Sequence, residues 1–348
     1  MSILIAIIIF SVIIIIHELG HFSIAKLNGI RVEEFSVGLG PTIVGFQKGE
    51  TKYSWKLLPF GGACMMTGED EASDDPKAFN NKSVWARIAV VFAGPGFNFI
   101  LAFVLALLLI GVIGYDEPIV ETVTEGGAAQ EAGIEDGDRI VSIDGMSVHV
   151  YREISNYLTL HPDKATETLT IVYERDGETY TTELTPTYSE EYGRYMLGVI
   201  YSGERTKGGI LSTIGYSLYE VKYWISLTID SLRLMLTGNV SVDEISGPVG
   251  IVTTIGSTYQ QSRAISWLAV YANMLNISIL LTANLGVMNL LPIPALDGGR
   301  LLFLIIEVLR GGKRINPDKE GIVNFVGLVI LLGLMLVIMA HDIYNIIV

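Results

Sequence analysis

The sequence has one cysteine and few charged residues for its length. Cys64 is the single cysteine among 348 residues, so an intramolecular disulfide framework is excluded and the redox compartment stays undetermined. Charged residues make up 17% of the chain and hydrophobic residues 50%, which is too apolar for a soluble globular protein of this length. The composition therefore predicts an integral membrane protein.

The sequence also lacks the clusters of basic and aromatic residues that nucleic-acid binding requires, so no nucleic-acid partner is expected. Its net charge is −14, and the excess is concentrated in one block. Residues 116–206 contain 19 Asp and Glu against 6 Lys and Arg. We interpret this block as a soluble acidic domain inserted between membrane segments.

A secretory signal peptide is not indicated, because the apolar run 3–16 has no basic residues before it and no A-x-A-like site after it. We expect a retained first transmembrane helix instead. Apolar segments long enough to cross a hydrocarbon core of about 30 Å cover residues 2–27, 85–115, 271–309 and 323–343. The third contains Pro292 and Pro294, so we expect its helix to be broken there.

Between the first two spans, residues 31–66 alternate polar and apolar side chains with interspersed glycines, which predicts short strands and hairpins. Basic residues in short loops favour the cytoplasmic side of a membrane. Residues 26–87 contain eight Lys or Arg and residues 300–319 contain five. We therefore expect both segments in the cytoplasm, and both termini and the acidic domain on the outer side.

The acidic domain has short β-branched runs separated by turn residues, which predicts a small β-rich domain. Its stretch AAQEAGIEDGDRIVSIDG resembles a PDZ domain in the circularly permuted bacterial form. The resemblance implies that the strand around residues 194–200 lines a groove for an extended peptide. The alternative is a β domain that only packs or acts as a spacer.

After a glycine-containing linker at 201–209, residues 211–236 place apolar side chains at helical spacing with charges between them. This pattern predicts an amphipathic helix on the membrane surface. A fifth membrane span is the alternative, although it would move the second half of the chain to the opposite side.

The motif HELGH directly follows the first apolar run. His17 and His21 are four residues apart and share one helix face, so both imidazoles can bind one zinc ion at about 2.0 to 2.1 Å. In such motifs the glutamate, here Glu18, takes a proton from water that the metal activates. A polar helix end with snorkelling side chains is the alternative, but ionisable groups at a membrane span are functional candidates by default.

A catalytic zinc ion usually has three protein ligands. We expect structural or surface roles for the remaining histidines, His149, His161 and His341. The acids in the later apolar segments are Asp297, Glu307 and Asp342. Asp297 is the predicted third ligand, because the prolines before it break the helix and the glycines after it allow close backbone approach.

The HELGH motif, the late LDGG motif and the PDZ-like stretch between them resemble the site-2 protease family, most closely its bacterial regulator-of-sigma-E proteases. FxxGxGP at 35–41, LLPFGG at 57–62, GPGFN at 94–98 and NLLPIPALDGG at 289–299 extend the resemblance over almost the whole chain. It implies His17, His21 and Asp297 as zinc ligands, with Glu18 as the base.

The same resemblance implies that Asn98 and Asn289 lie near the active site, where amides stabilise an oxyanion or bind substrate backbone. Interhelical hydrogen bonding is the alternative role. Gly61 and Gly62 match a membrane-associated β-element that pairs with an unwound substrate, although turn geometry alone would also explain them. The chain departs from the family in two respects. Its β-element continues as GGACMM, and only one PDZ-like stretch is recognisable in the sequence.

The expected fold is a polytopic α-helical membrane protein with four transmembrane helices, a membrane-associated β-hairpin region and one inserted extracytoplasmic PDZ domain. Residues 1–115 and 264–348 are the predicted halves of the membrane core, 116–200 the PDZ domain, and 201–263 the linker and amphipathic helix. The expected function is intramembrane zinc-dependent proteolysis in the bacterial inner membrane, with the active site toward the cytoplasm.

Expected partners are single-span membrane protein substrates, the lipid bilayer and a peptide in the PDZ groove. The resemblance suggests anti-sigma factors or remnant signal peptides as substrates. A membrane adaptor would use the PDZ groove but has no need for the four candidate zinc-site residues. A transporter with a broken helix would explain the prolines, but no inverted repeat is visible in the sequence.

Overall fold

A computed structural model describes residues 2–69, 71, 73–201, 203–238, 247–314 and 317–347. Internal contacts divide the chain into two units. The first consists of Met1–Leu105 with Val240–Val348 and is called the split unit here. The second, Ala106–Asn239, is called the central unit.

The helices of the described residues are α1 (Ser2–Leu27), α2 (Val84–Ile113), α3 (Ala128–Glu131), α4 (Tyr151–Leu160), α5 (Ile210–Leu236), α6 (Pro248–Ile265), α7 (Trp267–Leu290), α8 (Asp297–Leu309) and α9 (Pro317–Ile347). The strands are β1 (Val32–Lys48), β2 (Thr51–Met66), β3 (Thr122–Val123), β4 (Arg139–Ile143), β5 (Met146–Ser147), β6 (Leu169–Arg175), β7 (Glu178–Leu184), β8 (Thr187–Ser189), β9 (Arg194–Met196) and β10 (Val199–Ile200).

Within the described residues, four helical stretches are long and apolar enough to cross a membrane: Ile3–Leu27, Val84–Ile113, Trp267–Leu290 and Lys319–Tyr344. At 1.5 Å per residue, even the shortest exceeds the roughly 30 Å hydrocarbon core. This confirms the prediction of four apolar helices that are long enough to span a membrane. The predicted break in the third apolar segment is also present, since α7 ends at Leu290 and α8 begins at Asp297.

The predicted short strands at 31–66 are two long antiparallel strands with an irregular register. Phe35 of β1 has partners on both sides, Cys64 and Tyr53, while residues 42–48 pair with 51–56. Gly38 and Gly40 both adopt φ +90°, a left-handed conformation that lets β1 change direction. Each long strand therefore supplies two pairing segments, which is why the sequence pattern resembled several short strands.

The central unit contains a sheet with strand order β5-β4-β6-β7, and the short pairs β3/β10 and β8/β9. Alternating side chains of the sheet and one face of α4 form its hydrophobic core, which includes Ile140, Ile143, Ile154, Leu169 and Ile171. A groove of about 640 Å³ lies between α4 and residues 194–201, where the sequence predicted it.

The segment 201–263, predicted as the linker and amphipathic helix, contains two helices among its described residues. Residues 202 and 239–246 lie outside the described residues. The predicted amphipathic helix is α5, in the central unit, whereas α6 belongs to the split unit. Asp342 of α9 accepts hydrogen bonds from the Gly247 and Gly250 backbone N–H groups at the start of α6, and this satisfies donors that a helix N-terminus leaves free.

Candidate metal centre

The helical spacing of HELGH brings the two imidazoles of α1 together. His17 and His21 are both buried, and their Nε2 atoms lie 3.2 Å apart. Two imidazole nitrogens at this distance on one helix face suit joint binding of a cation better than a hydrogen bond between them.

Asp297 reaches the same point from the far end of the chain. It is the first residue of α8, directly after the break at residues 291–296. A Cβ atom at Gly298 would lie 2.1 Å from the Leu291 carbonyl oxygen, and one at Gly299 would lie 2.5 Å from that of Ile293. The two glycines therefore allow the broken segment to fold tightly over the first turn of α8.

The three donor atoms form a nearly equilateral triangle. Asp297 Oδ2 lies 3.3 Å from His17 Nε2 and 3.4 Å from His21 Nε2. Donors held tetrahedrally at about 2.0 to 2.1 Å from one zinc ion would lie about 3.3 Å apart. Asp297 Oδ2 is also buried without a hydrogen-bond partner among the described residues, a situation that a bound cation relieves. The side chains present therefore fit a zinc ion.

A main-chain carbonyl of α2 orients His21. His21 Nδ1 donates a hydrogen bond to the Val90 carbonyl oxygen at 2.9 Å. This bond places the proton on Nδ1 and leaves the Nε2 lone pair free to bind a metal.

Two glycines allow α1 and α2 to approach closely at this level. A Cβ atom at Gly94 would lie 2.2 Å from His21 Nε2 and 2.8 Å from His17 Cε1. A Cβ atom at Gly20 would lie 2.3 Å from the Ala93 carbonyl oxygen. Small residues at such helix contacts are common in membrane proteins, and here they provide the space that the imidazoles occupy.

Asn98 of α2 is fully buried against His17. Its side-chain amide lies 3.1 Å from His17 Nδ1, while its Oδ1 has no hydrogen-bond partner among the described residues. A half-turn of the amide about the Cβ–Cγ bond brings Oδ1 to Nδ1, where it accepts the imidazole proton and is itself satisfied. This placement favours support of His17 over the oxyanion role that the sequence suggested.

The predicted base, Glu18, lies against β2. A Cβ atom at Gly62 would lie 2.8 Å from Glu18 Cγ and 3.0 Å from Ile14 Cγ2. Gly61, at φ +85°, turns the chain just before this contact, and the Cys64 backbone N–H interacts with the Glu18 carboxylate. Gly61 and Gly62 thus bring the 62–66 segment of β2 against Glu18.

The structure does not bring every predicted site residue to the histidine pair. Asn289 lies in the last turn of α7 and, among the described residues, makes no hydrogen bond to His17, His21 or Asp297. Glu307, a rival for the third ligand, is paired with Arg87, and the other rival, Asp342, caps α6. Each rival acid therefore has a structural partner.

The sequence interpretation missed three supports of the site. The role of the Val90 carbonyl cannot be recognised from the sequence, because every residue type has a main-chain carbonyl group. Gly20 and Gly94 occur inside recognised motifs, but glycine also suits turns and flexible positions. The available signal was the pair of small residues in two apolar helices, which is typical of close helix contact.

Comparisons with known proteins place the chain in a family. The sequence profile described as peptidase family M50 matches residues 5–334. A metalloprotease relative from Clostridium acetobutylicum is 39% identical over 342 residues, covering 98% of this chain and 97% of that protein. The regulator of sigma-W protease RasP from Bacillus subtilis is 31% identical over 420 residues, covering 97% of both chains.

A solved PDZ domain of an SdrC-like protein from Listeria monocytogenes matches 25% of this chain and 88% of its own length, at 24% identity and a TM-score of 0.22. The family assignment does not depend on this match, since the M50 profile covers most of the sequence. With its apolar helices and buried zinc-type donor set, the chain belongs to peptidase family M50 of site-2 proteases and is an intramembrane zinc metalloprotease.

Proposed function

We propose that His17, His21 and Asp297 bind the zinc ion and that Glu18 is the general base for peptide hydrolysis. The observation that carries this assignment is the triangle of donor atoms, whose sides are 3.2, 3.3 and 3.4 Å although its corners come from α1 and α8. When bound, zinc supplies the Lewis acidity that activates water and polarises a carbonyl group. Glu18 takes the proton from that water and later delivers it to the leaving amine.

The neighbouring residues hold this arrangement in place. The Val90 carbonyl fixes the tautomer of His21, and the Asn98 amide does the same for His17. The main-chain carbonyl oxygen of Asn98 accepts a hydrogen bond from Thr282 Oγ1 at 3.2 Å, which ties α2 to α7 at the same level. In this assignment Asn98 is a positioning residue.

The proposed substrate is a transmembrane segment of a single-span membrane protein. A helical substrate must unwind locally, because its carbonyl groups are hydrogen-bonded within the helix. The 62–66 segment of β2 lies beside Glu18 and has Gly62 where a side chain would block close approach. An unwound substrate strand alongside this segment would present its backbone to the base by strand addition.

The proposed orientation follows the positive-inside rule. The basic segments 26–87 and 300–319 lie in the cytoplasm, the site faces that side of the bacterial inner membrane, and the central unit is extracytoplasmic. The central unit is proposed to act as a PDZ domain whose groove, lined by Ile154, Leu158 and Val199, takes an extended peptide. Because RasP of Bacillus subtilis is named for sigma-W regulation, an anti-sigma factor is the proposed type of substrate.

The decisive experiment compares wild type, Glu18→Gln and Asp297→Asn as full-length proteins in detergent or vesicles. Zinc per chain and cleavage of a membrane-embedded model substrate are measured for each. Glu18→Gln is expected to keep one zinc ion per chain and lose at least about 100-fold in turnover, because proton transfer is worth 10² to 10⁴-fold. Asp297→Asn is expected to lose both zinc and cleavage.

The outcomes separate the two parts of the assignment. Wild-type turnover by Glu18→Gln would remove Glu18 as the base. Retention of tightly bound zinc by Asp297→Asn would remove Asp297 from the ligand set.

A further inference from the structure

The helix that carries Asp297 has little to fix its own position. α8 has 13 residues, and the described residues on either side of it, 291–296 and 310–314, are not helical. Asp297 is its first residue, so any slide or rotation of α8 moves the carboxylate. A one-turn slide would displace it by about 5.4 Å. Residues 291–296 fold over its first turn, but the register of α8 against α2 also depends on side-chain contacts between these two helices.

One stripe of α8 makes those contacts. Asp297, Arg300, Leu304 and Glu307 are spaced by three, four and three residues, which places them on one helix face. Leu304 is buried in a hydrophobic cluster with Val90 and Val91 of α2. Leu302 and Ile305, on the other side, are 41% and 48% exposed. Apolar packing presses this stripe against α2 but does not specify a register, since aliphatic side chains tolerate sliding more easily than ion pairs.

At the far end of the stripe is a buried ion pair. Arg87 Nη2 of α2 lies 2.5 Å from Glu307 Oε1, and both residues are only 6% exposed. A charged group with so little access to water is stable only beside its partner. Because a guanidinium and a carboxylate meet in a defined orientation, this pair restricts the relative position of the two helices.

The two ends of the stripe face one surface of α2. Arg87 lies seven residues before Gly94, two helical turns along the same face. Gly94 is the residue whose added Cβ atom would overlap His21 Nε2, and Glu307 lies about 15 Å along α8 from Asp297. Pairing Glu307 with Arg87 at one end thus sets Asp297 opposite the imidazoles at the other.

A second ion pair on the same stripe fixes the rotation of α8. Arg300 Nη1 lies 2.6 Å from Glu69 Oε1, just after the end of β2. Since β2 also contacts Glu18 through Gly62, this contact relates α8 to the element that supports the base.

We propose that Arg87 and Glu307 form a positioning pair that sets the register of α8 against α2 and so places Asp297 for metal binding. Neither residue touches the reacting atoms. The inference rests on the proposed function, because it takes Asp297 to be a zinc ligand.

The test uses full-length protein and measures metal binding rather than cleavage. Zinc affinity and the visible spectrum of the Co²⁺-substituted protein are compared among wild type, Arg87→Gln, Glu307→Gln and the charge-swapped double variant R87E/E307R. Each single variant is expected to bind metal about 10 to 100-fold more weakly, as for loss of other groups that orient ligands, with a changed Co²⁺ spectrum. The charge-swapped double variant is expected to recover part of the wild-type metal affinity and part of the wild-type Co²⁺ spectrum.

Arg314→Gln is the matched control. Its Nε atom lies 3.7 Å from the same Glu307 oxygen, but its side chain is 43% exposed. Loss of a loosely held, exposed charge should leave metal affinity and the Co²⁺ spectrum unchanged.

Folded single variants that bind zinc as tightly as wild type, with an unchanged Co²⁺ spectrum, would overturn the inference. If Arg87→Gln does not fold, Arg87→Lys replaces it in the test, because lysine keeps the charge but not the guanidinium geometry. Wild-type zinc affinity in Arg87→Lys would also overturn the inference. Asp297→Asn separates the two proposals. If it keeps zinc, the ligand assignment fails, and if it loses zinc while the Arg87 and Glu307 variants keep it, only the positioning inference fails.

Discussion

The split unit and the central unit build their functional surfaces in different ways. In the split unit, His17 and Asp297 come from opposite ends of the sequence and meet at distances of 3.3 to 3.4 Å. In the central unit, α4 and residues 194–201 form the groove over a contiguous hydrophobic core. A few close contacts between side chains fix the metal site of the split unit, whereas the groove of the central unit is supported by burial of many apolar side chains. Substitutions should therefore act on chemistry in the split unit and on stability in the central unit.

The largest expected effect is that of Gly94→Ala in the split unit. Its Cβ atom would lie 2.2 Å from His21 Nε2, so the imidazole must move out of the donor triangle. We expect zinc affinity to fall by at least about 100-fold, measured as zinc retained per chain after dialysis against a weak chelator.

Gly96→Ala is the control for this variant, because the nearest atom to its Cβ would be Phe92 Cε1 at 3.5 Å, an ordinary contact on the same helix. Equal zinc retention in Gly94→Ala and Gly96→Ala would contradict the close-contact description of the site.

The second effect concerns Glu18, the proposed base, and leaves the proposed metal ligands in place. In Gly62→Ala, the new Cβ atom would lie 2.8 Å from Glu18 Cγ, which displaces the carboxylate but not the imidazoles. We expect turnover to fall about 100-fold, as for misplacement of a catalytic group by about 1 Å, with zinc content unchanged. Gly333→Ala, in open space on α9, should behave as wild type, and loss of zinc from Gly62→Ala would show that β2 supports the ligands as well.

The third effect belongs to the central unit. Ile171 of β6 is 2% exposed in the hydrophobic core, so Ile171→Ala should destabilise this unit by about 2 to 5 kcal/mol. Limited proteolysis of the full-length protein in increasing urea measures this loss, while zinc content should equal that of wild type. Thr170→Ala, an exposed neighbour on the same strand, should change stability by no more than about 0.5 kcal/mol. Zinc loss in Ile171→Ala would mean that the two units depend on each other.

The smallest effect is a pH dependence at the turn between β1 and β2. Hydrogen bonds from Lys26 and Lys77 lower the pKa of Glu50 to about 2. A carboxylate with a lowered pKa stabilises the fold above its ordinary value near 4.5, and the stabilisation disappears as the pH falls toward 2. Glu50→Gln should therefore lower the free energy of unfolding by less than about 1 kcal/mol at pH 7. Thermal melts of wild type and Glu50→Gln at pH 7 and pH 3 test this. A difference in melting temperature between the two proteins that is larger at pH 3 than at pH 7 would contradict it.

Much of the candidate site in the split unit could be predicted from the sequence, because placing polar groups in apolar segments costs free energy. His17, Glu18 and His21 follow an aliphatic run, where ionisable groups are functional candidates, and Asp297 was the acid located where prolines end the regular helix. The break itself was predictable because Pro292 and Pro294 cannot donate backbone hydrogen bonds. These inferences needed only the chemistry of individual residues.

The partners of the remaining polar groups were not predictable in the same way. The sequence shows Glu307 as an acidic residue in an apolar helix, but its pairing with Arg87 depends on how α8 lies against α2. Asp342 likewise caps α6 across a long stretch of sequence. Periodicity identifies the face of a helix but not the neighbour or the register that this face meets. The same limit explains β1 and β2, whose two-sided pairing is decided by tertiary contacts rather than by alternation.

The hydrogen bond from His21 Nδ1 to the Val90 carbonyl has a consequence for how this protein tolerates change. The acceptor is supplied by the main chain, so every amino acid that keeps α2 helical at position 90 offers the same oxygen. A substitution scan at that position would read out side-chain volume alone and miss the role of the carbonyl. Exchange of the adjoining amide for an ester, or a distortion of the helix at this turn, would reveal it.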